Sequence, residues 1–277
     1  VLNRIRHALR APLARIVDEA AERHIVRYEQ LVEKVRQDFE NLARQEGDRL
    51  ARVAHEIEFR ARRDIHAAAE RHAVATTEAF VREHLPTART FPHPAETLAH
   101  ALSLAPEAGL ACEFGVFSGS TLKTIAAARA GHDVYGFDSF RGLPEDWRPN
   151  IPAGAFHAER VPEVDGASIV AGWFSETLPG FLAEHPGPVA FLHLDADLYS
   201  STRTVLEEIG DRLRPGSVVL FDEYFNYPGW EGHEHRAWRE FVAERGVDFE
   251  YLCYTSNNEQ LAVRITEVPA RARGRRP

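Results

Sequence analysis

Methionine is absent from these 277 residues, and lysine occurs only at Lys34 and Lys123. Without a methionine, the register begins after processing, truncation or a non-standard start. Cysteine occurs twice, at Cys112 and Cys253, each inside an apolar run. That is too few for a disulfide framework, and no CxxC pair offers a thiolate zinc site. No apolar stretch approaches the roughly 20 residues that span a bilayer, and no signal peptide opens the chain. A cytoplasmic protein with no membrane partner is therefore expected. Positive charge is also in deficit: the formal net charge of −9 argues against nucleic acid as a partner, because phosphate binding needs a basic stripe. The basic end, Arg271 to Arg276, reads as part of a disordered tail over 267–277.

Proline is missing between Leu13 and Leu85, and Gly47 is the single glycine there. Leu31, Val35, Phe39, Leu42, Leu50, Val53, Ile57 and Ala61 recur at helical spacing among Arg, Glu, Asp and Gln. A long, coiled-coil-like helical arm is expected over 1–85, on the order of 100 Å if unbroken, or a hairpin if it breaks near Gly47. So polar a helix needs a partner for its stripe. Packing on its own domain and self-association into a homo-oligomer are the two candidates. Pro86, Pro92 and Pro94 then mark a linker with a short lead-in helix over 86–108.

From Gly109 to about residue 266, short apolar runs alternate with amphipathic segments. Strands are expected at Leu110–Gly115, His132–Asp138, Ser168–Trp173, up to Asp195 and up to Asp222. Two last strands, Phe249–Tyr254 and Gln260–Ile265, sit close enough to form an antiparallel hairpin. Helices are expected at Ser120–Ala130, Glu176–Glu184, Ser201–Leu213 and His235–Arg245. The fold class is α/β: a doubly wound, Rossmann-like sheet, mostly parallel with its last strand antiparallel.

Parallel strands release ligand-binding groups at their carboxyl ends. Asp195 follows Val189–Leu194, and Asp222-Glu223 follow Ser217–Phe221. Three carboxylates at one point repel each other unless a cation neutralises them, so a hard divalent metal is expected there.

The run Glu113-Phe-Gly115-Val-Phe-Ser118-Gly119-Ser-Thr121 occupies the first strand–helix turn. Gly115 and Gly119 let the backbone approach a ligand. Their spacing is not that of a pyrophosphate-binding fingerprint, and Glu113 favours a cationic ligand. Asp138, about 25 residues after Glu113, stands where such folds place the acid that holds ribose hydroxyls. A ribose, a positive centre and no phosphate describe S-adenosylmethionine.

Five blocks appear in order: Glu113 to Thr121, Gly136-Phe-Asp-Ser-Phe-Arg-Gly-Leu-Pro144, Gly172-Trp-Phe-Ser-Glu-Thr-Leu-Pro179, Leu194-Asp-Ala-Asp-Leu-Tyr-Ser-Ser-Thr202 and Phe221-Asp-Glu-Tyr224. Together they resemble the macrocin O-methyltransferase family, metal-dependent class I methyltransferases that act on sugar hydroxyls of macrolides. The resemblance covers about Gly109 to Ile265. It implies Mg²⁺-dependent methyl transfer from S-adenosylmethionine to a hydroxyl of a sugar or glycosylated natural product. It also implies metal ligation by Asp195, Asp222 and Glu223, although the usual pair at the last two positions is Asp-Asp. Ser139 and Glu176 fall where the family contacts the donor nucleoside, with Trp173 nearby. Asp197 is expected to cap the following helix.

A proton must leave the acceptor, and histidine is the natural carrier. His157 lies in the 141–165 loop, a potential lid, where the family keeps its base; His233 is the alternative. His193, within a strand, reads as structural. Tyr224, Phe225, Tyr227 and Trp230 form either an acceptor platform or a packed loop cluster. Two competing functions remain: methylation of a catechol-like diol, or a coiled-coil assembly protein whose donor-binding domain does not catalyse.

Overall fold

The structure, a computed structural model, describes residues 2–269, so the basic tail lies mostly outside the described residues. The chain divides after Ile65 into two compact units.

The first unit is one helix, α1 (Leu2–Arg63), which passes through Pro12 and Gly47 without a break. A single glycine costs only about 1 kcal/mol relative to alanine, too little to stop so long a helix, so no hairpin forms at Gly47. Ion pairs one turn apart, such as Arg36 with Glu33 and Glu40 at 2.7 and 2.6 Å, line its surface. Each is exposed and contributes a few tenths of a kcal/mol.

The second unit begins at His66 rather than near residue 109. Helix α2 (Ile65–His84) buries Ala73 and Thr77 within it. Thr77 Oγ1 accepts the Asn226 N–H at 2.9 Å, and Thr76 Oγ1 accepts the Trp230 indole N–H at 3.0 Å. The helical grammar thus continues to residue 84, but its last twenty residues pack on the α/β unit. The expected linker holds a strand, β1 (Arg89–Phe91), followed by helix α3 (Pro94–Leu104).

Next come β2 (Leu110–Phe114), α4 (Ser120–Ala128), β3 (Val134–Asp138), β4 (Ser168–Ala171), α5 (Phe174–Glu184), β5 (Val189–Leu194), α6 (Tyr199–Ile209), β6 (Val218–Phe221), α7 (Glu234–Arg245), β7 (Asp248–Thr255) and β8 (Leu261–Glu267). The sheet order is β1-β7-β8-β6-β5-β2-β3-β4. All neighbours are parallel except β8, which runs against both β6 and β7. This is the doubly wound sheet the residue pattern predicts.

Alternation along the strands feeds two cores. Leu192, Leu194, Val219 and Phe221 face one side with Leu178, Val205 and Trp238 from α5, α6 and α7. Phe191, Val218 and Leu220 face the other with residues of α3 and α4. Both cysteines are buried and free, and burial pushes each thiol up to about 12.

Tyr224, Phe225, Tyr227 and Trp230 are at most 3% exposed, so they are a packed interior cluster and not an acceptor platform. Phe80 of α2 and His235 of α7 join it, with His235 ring centroids 4.8–5.3 Å from Trp230, Tyr224 and Phe80. Burial, helped by Arg239 and His84, lowers the His235 imidazole to about 4, and its Nδ1 has no partner. Between pH 6.5 and 4 the unfolded chain binds a proton there that the folded chain refuses. Stability is therefore expected to fall as pH drops through that window, by up to about 3 kcal/mol. Urea unfolding of wild type and His235→Phe at pH 7 and 4.5 checks this: the variant should lose that part of the pH dependence, and equal dependence in both proteins would refute it.

Candidate active site

A cavity of about 360 Å³ opens at the carboxyl ends of the central strands, within the usual size of small-molecule sites. It lies where the chain order reverses, β2 leading outward to β3 on one side while β5 leads to β6 on the other. Its lining includes Gly115, Asp138, Asp195 and Glu223, picked out from the residue pattern, and Ser139 and Trp173, which the family resemblance implies. Glu113, Ser118, Gly119, Glu176, Asp222, His157 and His233 are not among the lining residues.

The turn after β2 is the tightest point. Gly115 has φ +98°, and a Cβ there would lie 1.8 Å from the Asp195 carbonyl oxygen. The turn thus passes directly over the end of β5, where Asp195 N–H donates to Phe114 O at 2.9 Å. Gly119, at φ +77°, precedes α4 and would meet Val164 at 2.9 Å. Only glycine is unstrained in both roles.

Asp138 holds this turn. Its Oδ2 accepts the N–H groups of Val116 and Phe117 at 2.9 and 2.8 Å, and Oδ1 accepts that of Phe140 at 2.7 Å. Most of its acceptor capacity is spent on backbone before any ribose arrives. Ser139 likewise accepts the Arg141 N–H at 3.0 Å. Ser118 and Glu176 are exposed, Glu176 in the first turn of α5.

Glu113 is fully buried in β2. Its Oε1 takes a hydrogen bond from His193 Nδ1 at 2.9 Å, and its Oε2 is buried without a partner. His193 Nε2 lies 3.5 Å from Asp222 Oδ1. Burial by itself would lower His193, but Asp222 and Glu113 hold its imidazole well above the usual range. Burial works to raise Asp222, but His193, together with Glu223 and Gln260, outweighs it and keeps that carboxyl low. His193 is therefore a buried tie between the two acids.

The carboxylates of Asp195, Asp197 and Glu223 lie within 4.8 Å of one another. The convergent set among the described residues thus contains Asp197 where Asp222 was expected. Burial and then the Asp222 charge raise both Asp195 and Glu223 well above the carboxylate range. Burial brings Asp197 to about 7, although Arg148 works against it. Asp197 does not cap α6: Leu198 takes that position, with no side-chain capping bond. A left-handed backbone at Asp197 (φ +60°) places it among the cavity lining instead.

Two supports escaped the residue pattern. Glu234, fully buried at the start of α7, accepts the Glu223 N–H at 3.2 Å and, more weakly, the Ala196 N–H at 3.4 Å. It ties the backbone of both acidic loops; the only sequence signal was its closeness to His233. Arg148, in the 141–165 loop, pairs with Glu259 through two bonds of 3.0 and 3.1 Å and stacks on Trp147 and Tyr227. That loop covers one wall of the cavity with Trp147, Ile151 and Phe156.

Neither expected histidine reaches the acids. His157 is exposed on the loop. His233 is half-buried, and burial and the Arg148 charge lower it.

Residues 112–224 match a family described as a methyltransferase domain. The chain is 34% identical over 137 residues to the 8-demethyl-8-(2,3-dimethoxy-alpha-L-rhamnosyl)-tetracenomycin-C 4'-O-methyltransferase of Streptomyces olivaceus, covering 40% of this chain and 51% of that protein. It thus spans about half the length of this curated relative. Among solved structures it is similar to CalS11, a calicheamicin methyltransferase, with 29% identity and a TM-score of 0.49 over 61% of this chain and 76% of that one. The O-methyltransferase NovP gives 21% identity and a TM-score of 0.47 over 62% and 79% of the two chains.

Proposed function

We propose that this chain, which carries a methyltransferase domain over residues 112–224, transfers a methyl group from S-adenosylmethionine to a hydroxyl of a sugar or glycosylated natural product, aided by Mg²⁺. The observation that carries this is the convergence of Asp195, Asp197 and Glu223 beside the glycine turn. The tetracenomycin relative, named for methylation of a rhamnosyl group, supports a glycosidic acceptor.

The residues present fit the donor. Glu113, outside the cavity lining, keeps one buried oxygen free of protein partners, and its charge reaches Asp195 in that lining, which favours a cationic donor. The Gly115 turn admits close approach, and Trp173 and Phe174 supply apolar walls for a nucleoside. S-adenosylmethionine, when bound, supplies a methyl group already activated on a sulfonium.

They also fit a hard cation. All the converging donors are carboxylate oxygens, Glu223 Oε2 is buried without a partner, and the crowding of like charges is unfavourable without a neutralising ion. Asp195 and Glu223, two of the three convergent carboxylates, would hold it, and the Asp222 charge that bears on both adds to the attraction. Mg²⁺, when bound, supplies Lewis-acid polarisation and a template for the acceptor oxygen. Asp197, lining the cavity, accepts the proton that the hydroxyl releases. Glu234 and His193 keep the acids in place. Trp147 and Ile151 keep water from the reacting groups. The exposed stripe of α1 is assigned to self-association of the chain.

Calorimetry and turnover test the proposal. S-adenosylmethionine should bind saturably, and EDTA should reduce methylation of rhamnosylated acceptors at least ~100-fold, with recovery on adding Mg²⁺. Full turnover in EDTA would remove the metal from the proposal. No donor binding at millimolar concentration would remove the enzyme.

A further inference from the structure

Helix α1 exposes large apolar residues along its length, among them Phe39 at 71%, Leu50 at 67% and Tyr28 at 65%. So long a stripe marks an interaction surface, unlike scattered single residues. Its spacing is regular. Val17, Tyr28, Phe39, Leu50 and Ala61 recur every 11 residues, and Ala20, Leu31, Leu42 and Val53 repeat the same interval three positions later. Eleven residues make three turns at about 3.67 per turn, so the stripe stays on one side of a nearly straight helix. A third row at the same interval is Leu13, His24, Val35, Glu46 and Ile57. It lies between the other two, and it alone is interrupted by polar residues.

Those two interruptions are placed symmetrically: His24 and Glu46 each stand 11 residues from Val35. We propose that α1 pairs with α1 of a second copy of this chain in antiparallel orientation, with the two-fold axis at Val35. Residues whose numbers sum to 70 then meet: His24 faces Glu46, Leu13 faces Ile57, Leu31 faces Phe39 and Ala20 faces Leu50. Each polar stripe residue gains a partner of opposite kind, and the small Ala20 meets a large side chain. A parallel, in-register pair would set Glu46 against Glu46 and His24 against His24, leaving like groups together in an apolar seam. A lipid surface fits less well, because the flanks carry acidic and basic residues in near-equal number rather than a basic face.

The pairing rests on the self-association assigned to α1 above, and the test separates the two. The 277-residue chain is used, since its native cysteines are buried and free. Light scattering at tens of micromolar should give a dimer, and Leu31→Arg combined with Phe39→Arg should give a monomer that still binds S-adenosylmethionine. Under mild oxidation, His24→Cys mixed with Glu46→Cys should form a mixed disulfide dimer, while each alone should cross-link at least ten-fold less. A wild-type monomer, or a dimer that survives both arginines, overturns self-association through α1 and the pairing with it. A dimer in which each cysteine variant cross-links to itself overturns the antiparallel pairing alone.

Discussion

Gly115→Ala is expected to abolish donor binding within measurable range, a loss of at least ~100-fold in affinity. The reason is geometric. The added methyl would lie 1.8 Å from the Asp195 carbonyl oxygen, which is backbone and cannot rotate away, at a φ of +98° that L side chains rarely adopt. The chain must relieve the overlap by moving the β2–α4 turn, the end of β5, or both. Moving the turn breaks the two hydrogen bonds that Asp138 accepts from Val116 and Phe117. Moving β5 displaces Asp195, so metal uptake should weaken together with donor binding. Gly180→Ala is the control. Gly180 lies inside α5 with nothing within 4 Å of an added Cβ, so this change should leave binding intact and stabilise the helix by up to about 1 kcal/mol. Calorimetric titration of both variants with S-adenosylmethionine measures the difference. Wild-type affinity in Gly115→Ala would show that the donor does not use this turn.

Asp197→Asn is expected to lower kcat by about 10² to 10⁴-fold, the usual contribution of a general base, with donor affinity changed by no more than a few-fold. Asparagine keeps the size of the side chain and tolerates the left-handed backbone that Asp197 adopts at φ +60°, so the site should keep its shape. What it loses is the capacity to accept a proton. His157→Ala and His233→Ala should cost only a few-fold, because neither ring lines the cavity. Single-turnover kinetics on the three variants decides the matter. A severe loss in His157→Ala with an active Asp197→Asn would return the base to the histidine.

The sites of agreement and disagreement share one physical origin. β5 and β6 are recognisable because a strand buried on both faces leaves a nearly continuous apolar run; Val218–Phe221 is such a run, and Val189–Leu194 is broken only by His193. The Gly115 turn is legible for a similar reason, since a glycine between a buried strand and a helix marks a backbone that must pass close to something. β1 was hidden. It has three residues bracketed by prolines, and its partner, around Cys253, lies far along the chain. The roles of Asp138 and Asp197 were hidden differently. Their residue types are plain in the sequence, but whether a carboxylate faces a ligand, a backbone amide or a helix terminus depends on the local φ and on loops from elsewhere.

Periodicity, glycine placement and strand-terminal acids determine on their own that this chain forms a long polar helix followed by a doubly wound α/β sheet, with carboxylates at the ends of its central strands. Those are consequences of local geometry and burial, which repeat within a few residues. Only the tertiary structure decided that α2 packs on the α/β unit, that the aromatic residues after β6 are interior, and that Asp197 joins Asp195 and Glu223 while His157 and His233 stay away. Each of these depends on contacts between segments distant in the chain, and no short-range pattern encodes which of several acids or rings such a contact will choose.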